Sequence, residues 1–214
     1  MQFHCYFTLP LFFLLLASSY RNPLTFSKKG ILGTLTLVGL AFFYTTPWDS
    51  YLIKNEIWTY SPGNVLFTIY RIPIEEYFFF FIQTLIGCLL TAQLICLKKK
   101  SHLYGLNMGP KNVGLFMGLI GALALLAWIA PHEEEWTYLK LVFFWATPVI
   151  FLQWAIGWRI LVKEITILLG ALVPLCLYFF AADSFAIYKE IWTFPNGTIS
   201  GIELFGILPI EEAL

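Results

Sequence analysis

The sequence predicts an all-α integral membrane protein of about seven transmembrane helices with an internal parallel repeat, and three observations carry that expectation. Of 214 residues, 59% are hydrophobic and only 12% charged, with a mean hydropathy of +0.75. A soluble domain carries roughly 25% charged and about 45–50% apolar residues. So little polar surface cannot coat a water-facing sphere, which excludes disorder, a secreted disulfide scaffold and an ordinary soluble domain. The apolar runs are continuous rather than alternating, which selects helices over a barrel. Finally, one polar and aromatic segment occurs twice in the chain.

A span needs about 20 mostly apolar residues to cross roughly 30 Å of hydrocarbon. Segments near 3–20, 31–47, 74–97, 112–130, 138–157, 160–181 and 202–214 meet or approach that test. The first, Phe3 to Tyr20, resembles a signal-peptide core but has neither a basic n-region nor a small-x-small cleavage site, so it reads as an uncleaved helix. The third starts behind Pro73, a residue favoured at the first turn of a helix. In the fourth, Gly114-x-x-x-Gly118 and Gly118-x-x-x-Ala122 predict close helix packing. Pro148 and Pro174 predict kinks in the fifth and sixth. The seventh opens as a helix and breaks off, so the chain is expected to continue past Leu214. Residues 1–214 form a single membrane domain, with one repeat over about 31–97 and a second, cut short, over about 160–214.

Loop charges orient the bundle. Arg21, Lys28, Lys29, Lys98, Lys99, Lys100, Lys111, Arg159 and Lys163 fall on one side, nine of 13 basic residues. The positive-inside rule makes that side cytoplasmic and the N-terminus external, as expected for a bacterial cell membrane. All 13 acids except Glu164 fall on the opposite side. The net charge of zero supplies no basic footprint for nucleic acid. The cysteines, Cys5, Cys88, Cys96 and Cys176, show no C-x-x-C spacing and read as buried free thiols. No histidine sits at metal-ligand spacing, so no metal is expected. Without a dinucleotide fingerprint or phosphate-binding loop, neither is a cofactor.

The repeat aligns Asp49-Ser-Tyr-Leu-Ile-Lys-Asn-Glu-Ile-Trp-Thr-Tyr60 without gaps to Asp183-Ser-Phe-Ala-Ile-Tyr-Lys-Glu-Ile-Trp-Thr-Phe194. Two residues of slack later, Pro73-Ile-Glu-Glu76 matches Pro209-Ile-Glu-Glu212. The matches are polar and aromatic rather than Leu and Phe, which makes chance identity a poor explanation. The offset spans four helices, an even number, so the copies run parallel and both acidic sets share one membrane face.

Glu75, Glu76, Glu211 and Glu212 are the candidate catalytic residues. They fall in first helical turns, where the helix dipole favours the carboxylate while apolar burial favours the neutral acid. Adjacent helical residues diverge by about 100°, so one Glu of each pair faces the bundle interior and the other a loop or neighbouring helix. A carboxyl kept neutral in an apolar, aromatic-lined pocket is a general acid. Glu56, Trp58, Glu190 and Trp192 lie in the connections leading to these motifs and, with Phe78 and Phe79 behind the first, are the candidate substrate-binding residues. Arg71 has no counterpart in the second copy and is placed to bridge one Glu of the first. Aromatic faces, of which 21 Phe, 11 Tyr and 8 Trp offer many, stabilise cations within about 6 Å.

Pro-x-Glu-Glu before an aromatic run, behind an acidic Trp-Thr loop and duplicated in one chain, resembles the heterodimeric-type, flavin-independent lycopene cyclases of carotenoid biosynthesis, in their fused form. The resemblance implies a non-redox isomerisation: the acyclic ends of lycopene are protonated and closed into β-ionone rings through a carbocation. It implies Glu75, Glu76, Glu211 and Glu212 as the functional acids, no cofactor, and lycopene and membrane lipid as partners, with a homo-oligomer or carotenoid-pathway enzymes as further ones. The departure is that the second motif stops at Ala213-Leu214, before its aromatic helix. A parallel-repeat transporter, a retinal-binding seven-helix protein and a carotenoid hydratase are the competing readings. The first predicts binding acids near the bilayer midplane and the second a Lys in the last helix.

Overall fold

The computed structural model describes residues 3–61, 63, 65–98, 116, 119–124, 134–195 and 197–213. A π-turn, His4–Thr8, leads into α1, Leu9–Ser18. The long helices are α2, Lys28–Lys54, α3, Ile74–Leu97, α4, Thr137–Lys163, and α5, Ile165–Tyr188. Each of these four is long and apolar enough to cross a membrane, against the seven spans expected. Most of the expected span at 112–130 lies outside the described residues, Gly114 and Gly118 with it, although residues 119–124 are helical.

Two boundaries differ from expectation for clear reasons. α2 does not stop at 47: Ser27 caps it by accepting from the Gly30 N–H at 3.0 Å, and Pro47 is absorbed within it. Asp49 is therefore a helical residue, not a loop one. The break expected between 157 and 160 falls at Glu164, because nothing at Gly157 interrupts the hydrogen-bond ladder. At the break, the Glu164 carbonyl accepts from Ile167 and Leu168, and its carboxylate pairs with Lys98 at 2.7 Å.

The expected helix over 202–214 is a correction. Residues Glu203–Leu204 (β5) and Leu208–Pro209 (β6) pair as an antiparallel hairpin, and only Ile210–Ala213 turns, as a 3-10 helix. Phe205 and Gly206 adopt positive φ, which a helix cannot contain. The first motif is built the same way. Thr68–Ile69 (β2) pairs with Ile72–Pro73 (β3), and Tyr70 and Arg71 take φ of 50° and 72°, as a two-residue hairpin turn requires. Arg71 is thus a turn residue pointing outward. Among the described residues it makes no ion pair, contrary to the expected bridge to Glu.

The core lies where α1, α3 and α5 meet, with Leu15, Ile82, Ile86, Leu89 and Phe179 packed together. Gln93 is satisfied inside this contact by donating to the Leu15 carbonyl and the hydroxyls of Ser18 and Ser19. Outward-facing positions are apolar, Phe43 and Phe144 among them at 83% and 78% exposure. That distribution suits hydrocarbon, which is as apolar as these side chains. The cysteines depart from the buried expectation: Cys5 and Cys96 are exposed, and all four are free thiols.

Matching turns end α2 and α5. Ile57 N–H bonds the Leu52 carbonyl and Glu56 N–H that of Ile53, while Ile191 bonds Ala186 and Glu190 bonds Ile187. These are Schellman closures, with Glu56 and Glu190 in the left-handed region at φ 55° and 53°. Each turn delivers a short strand, Thr59–Tyr60 (β1) and Trp192–Thr193 (β4), and the two strands pair antiparallel. The pairing is reinforced by the Thr59 and Thr193 hydroxyls at 3.2 Å and by Ser61 donating to the Glu190 carbonyl. This clasp brings the ends of α2 and α5 to one place.

Candidate active site

Under the clasp lies a cavity of ≈ 300 Å³, and helical periodicity explains its walls. α2 contributes Ala41, Thr45 and Asp49, one residue every turn. α3 contributes Glu76, Phe79, Phe80, Gln83 and Thr84, the i, i+3, i+4, i+7 and i+8 positions of one face. α5 adds Asp183, α4 adds Tyr138 and Trp145, and the 3-10 turn after β6 adds Glu212.

The two glutamates of each motif divide. Glu76 and Glu212 both line the cavity. The Tyr60 phenol faces the Glu76 carboxyl, and the Tyr138 phenol donates to Glu212 Oε1. Glu75 and Glu211 brace loops instead. Glu75 Oε1 accepts from the Leu66 N–H at 3.1 Å and Glu211 Oε1 from the Ser200 N–H at 2.8 Å. Glu75 still reaches the cavity wall, whereas Glu211 is buried and is not part of it. The divergence of adjacent side chains produces this split in both motifs.

Tyr60 stands outside the spanning helices. Burial, then the neighbouring carboxyls of Glu76 and Asp49, hold its phenol well above the ordinary tyrosine value. It therefore remains a hydrogen-bond donor across the physiological range.

Of the candidate binding residues, Trp58, Trp192 and Phe79 line the cavity. Phe78 is 38% exposed and does not; its ring meets the edge of His4 at 5.1 Å. Glu56 and Glu190 are exposed and occupy the Schellman turns, so their backbone positions the clasp while their side chains point away from the cavity.

Several residues here carried no role in the sequence reading. Asp49 and Asp183 both face the cavity, Asp49 at 5% exposure. Tyr60, Tyr138, Trp48 and Trp145 complete the wall. Trp48 stacks on Trp145 at 5.8 Å and Trp58 meets Tyr138 edge-on at 5.5 Å. The duplicated Asp was the available signal for the first pair. Tyr138 and Trp145 lie outside the matched segments, and only their aromatic type hinted at them. Among the described residues, no His, Cys, Asp and Glu cluster is arranged to hold a metal ion.

Taken together, the cavity combines carboxyls with aromatic faces in a partly open, largely apolar setting. Such a site can give a proton to an unsaturated hydrocarbon and shelter the resulting cation.

A family model described as lycopene cyclase matches residues 2–94 and 134–214. The chain is 36% identical over 224 residues to a bifunctional lycopene cyclase/phytoene synthase of Colletotrichum graminicola, covering 98% of this chain and 37% of that protein. It is 35% identical over 186 residues to a lycopene beta-cyclase of Halobacterium salinarum, covering 84% of this chain and 74% of that one. A bifunctional lycopene cyclase/phytoene synthase of Gibberella fujikuroi is 34% identical over 220 residues, 100% of this chain and 37% of its own length. The chain thus spans little more than a third of the bifunctional fungal relatives. No solved structure matches it significantly.

Proposed function

The chain belongs to the lycopene cyclase family, and we propose that this cavity closes the acyclic ends of lycopene into β-ionone rings, with Glu76 and Glu212 as the proton-donating acids. The observation that carries the assignment is the meeting of two motif glutamates, each beside a tyrosine, in one aromatic-walled cavity.

The reaction moves no net electrons. A neutral glutamic acid gives its proton to the terminal double bond, forming a tertiary cation. The neighbouring internal double bond attacks that cation and closes the ring. Loss of a ring proton to a carboxylate then restores neutrality. Trp58, Trp192 and Phe79, with the stacked Trp48 and Trp145, supply faces for the cation. Tyr60 and Tyr138 support the carboxylate as its proton leaves. Ligand pockets span roughly 300–1,000 Å³. This cavity therefore suits one end of a long polyene at a time, with the remainder lying along the apolar exterior.

A duplicated helical architecture underlies this reading, with the copies parallel. It is supported by the paired Schellman turns at Glu56 and Glu190, the two hairpins before Pro-Ile-Glu-Glu, and the β1–β4 clasp. The cavity carboxyls lie near one end of the helices, and the Lys98–Glu164 pair near the other. With the basic loops, that supports an orientation with the N-terminus outside and the carboxyl-rich face external. Lycopene, supplied through the surrounding lipid, is the substrate; self-association and contact with pathway enzymes belong to the same reading.

Expression in a lycopene-accumulating host, followed by pigment chromatography, tests the assignment. Conversion to mono- and bicyclic carotenes is the expected result. Unchanged lycopene, with the protein present in membranes, or hydroxylated acyclic products would overturn it.

A further inference from the structure

We propose that Asp49 and Asp183 form a second catalytic pair, the carboxylates that remove the ring proton after the cation has closed. The inference rests on the cyclase reading and assigns the half of the reaction that the two motifs leave open.

Besides Glu75, which the Leu66 N–H holds, four carboxyls from four elements converge on the cavity: Asp49 from α2, Glu76 from α3, Asp183 from α5 and Glu212 from the final turn. They are close enough for each Asp to experience the charges of both Glu76 and Glu212. Asp49 interacts more with Glu76, and Asp183 more with Glu212. Each half of the chain therefore contributes one Asp–Glu couple to a common space.

Their partners differ. Glu212 receives the Tyr138 hydroxyl, and Glu76 faces that of Tyr60. Asp49, although 5% exposed, has no hydrogen-bond or ion-pair partner among the described residues, and neither does Asp183. Both stand more than a turn before the C-terminal ends of their helices, where the backbone N–H groups are already committed to the helix ladder. A buried carboxyl so placed contributes nothing to stability and costs desolvation. What it faces is the cavity.

The difference in partners separates the two roles. A carboxylate that receives a phenol hydrogen bond is a stabilised product of proton donation. A carboxylate without a donor is the more avid acceptor. In the complete cycle, the Glu O–H bond breaks as a C–H bond forms at the polyene terminus. Ring closure consumes one π bond and leaves the charge on a ring carbon. The Asp carboxylate takes the adjacent C–H proton, and that bonding pair becomes the ring double bond. Asp then gives that proton to water and the Glu carboxylate takes one from water, which returns the site to its starting state without an oxidant or reductant. The position of the Asp oxygen decides which ring proton is lost, and so where the double bond falls.

The test uses full-length enzyme in membranes, equilibrated in D2O and given lycopene. Wild type should form β rings and E76Q none, which checks the cyclase reading separately. D49N, D183N and the double variant should be present at wild-type levels and form β rings at least tenfold more slowly. Because protonation still occurs, recovered acyclic lycopene or rings with a displaced double bond should carry deuterium. D49E and D183E keep the carboxyl one methylene further out and should recover ring formation with an altered double-bond ratio; these variants also serve if an Asn variant does not accumulate. Wild-type rates in the Asn variants overturn the proposal. Loss of ring formation with unlabelled lycopene, or Glu variants that recover nothing, overturns it too.

Discussion

Glu76→Gln should abolish closure of both ends of lycopene, and Glu212→Gln should do the same, although the two residues lie in opposite halves of the chain. Glutamine preserves size and the contact with tyrosine but has no acidic proton to give. Loss of a positioned general acid typically costs roughly 10²–10⁴-fold in rate. The shared cavity makes the prediction sharper than a simple loss. Both carboxyls line the same ≈ 300 Å³ space, so neither half is an independent site that could still close one ring. Chromatography of pigments formed by membranes of each variant checks this, with immunoblotting to show unchanged protein. A variant that accumulates monocyclic product at the wild-type rate would mean that the halves work separately.

Tyr60→Phe and Tyr138→Phe should each slow the reaction by about 10–150-fold while leaving the apparent KM for lycopene nearly unchanged. A hydrogen bond to a charged group contributes about 1.5–3 kcal/mol, and about 1.36 kcal/mol is tenfold in rate. The bond strengthens as the glutamate becomes an anion, so its loss raises the barrier without weakening ground-state binding of a hydrocarbon. The ring remains in both variants, and with it the packing of Tyr138 against Trp58 and Phe194. Initial rates over a range of lycopene concentrations separate kcat from KM. A raised KM at unchanged kcat would assign these tyrosines to substrate binding instead.

The two tyrosines also show where sequence reasoning runs out. Pro-Ile-Glu-Glu announces itself by recurring, and the 100° divergence of neighbouring side chains foretells one inward and one loop-facing glutamate. The structure divides Glu76 from Glu75, and Glu212 from Glu211, in that manner. The donors are not duplicated. Tyr60 aligns with Phe194, and the second hydroxyl comes from Tyr138, a residue of α4 outside the matched segment. Each glutamate therefore finds its phenol by a different route, which no repeat comparison reveals.

Asp49 misled for a different reason. The expected span stops near 47, yet the membrane-length helix carries through to Lys54 and turns Asp49 inward. Local propensity there is overridden by the hydrogen-bond ladder and by packing on α3. The segment before Glu211 misled in the opposite direction. Its composition is apolar enough for a helix, but Gly201, Gly206 and Pro209 punctuate it, and the positive φ values at Phe205 and Gly206 make it a hairpin. Helix was legible in the long, continuously apolar runs that became α2, α3, α4 and α5. It was not legible where turn chemistry decided the path.

The most direct measurement of whether a cavity carboxyl protonates the polyene is a single turnover by purified wild-type enzyme equilibrated in D2O. Mass spectrometry of the carotenes should find one deuterium in each newly formed ring, at the carbon that was the terminal alkene, with the number of hydrogens unchanged overall. Rings of ordinary mass, formed at the normal rate in D2O, would contradict the account.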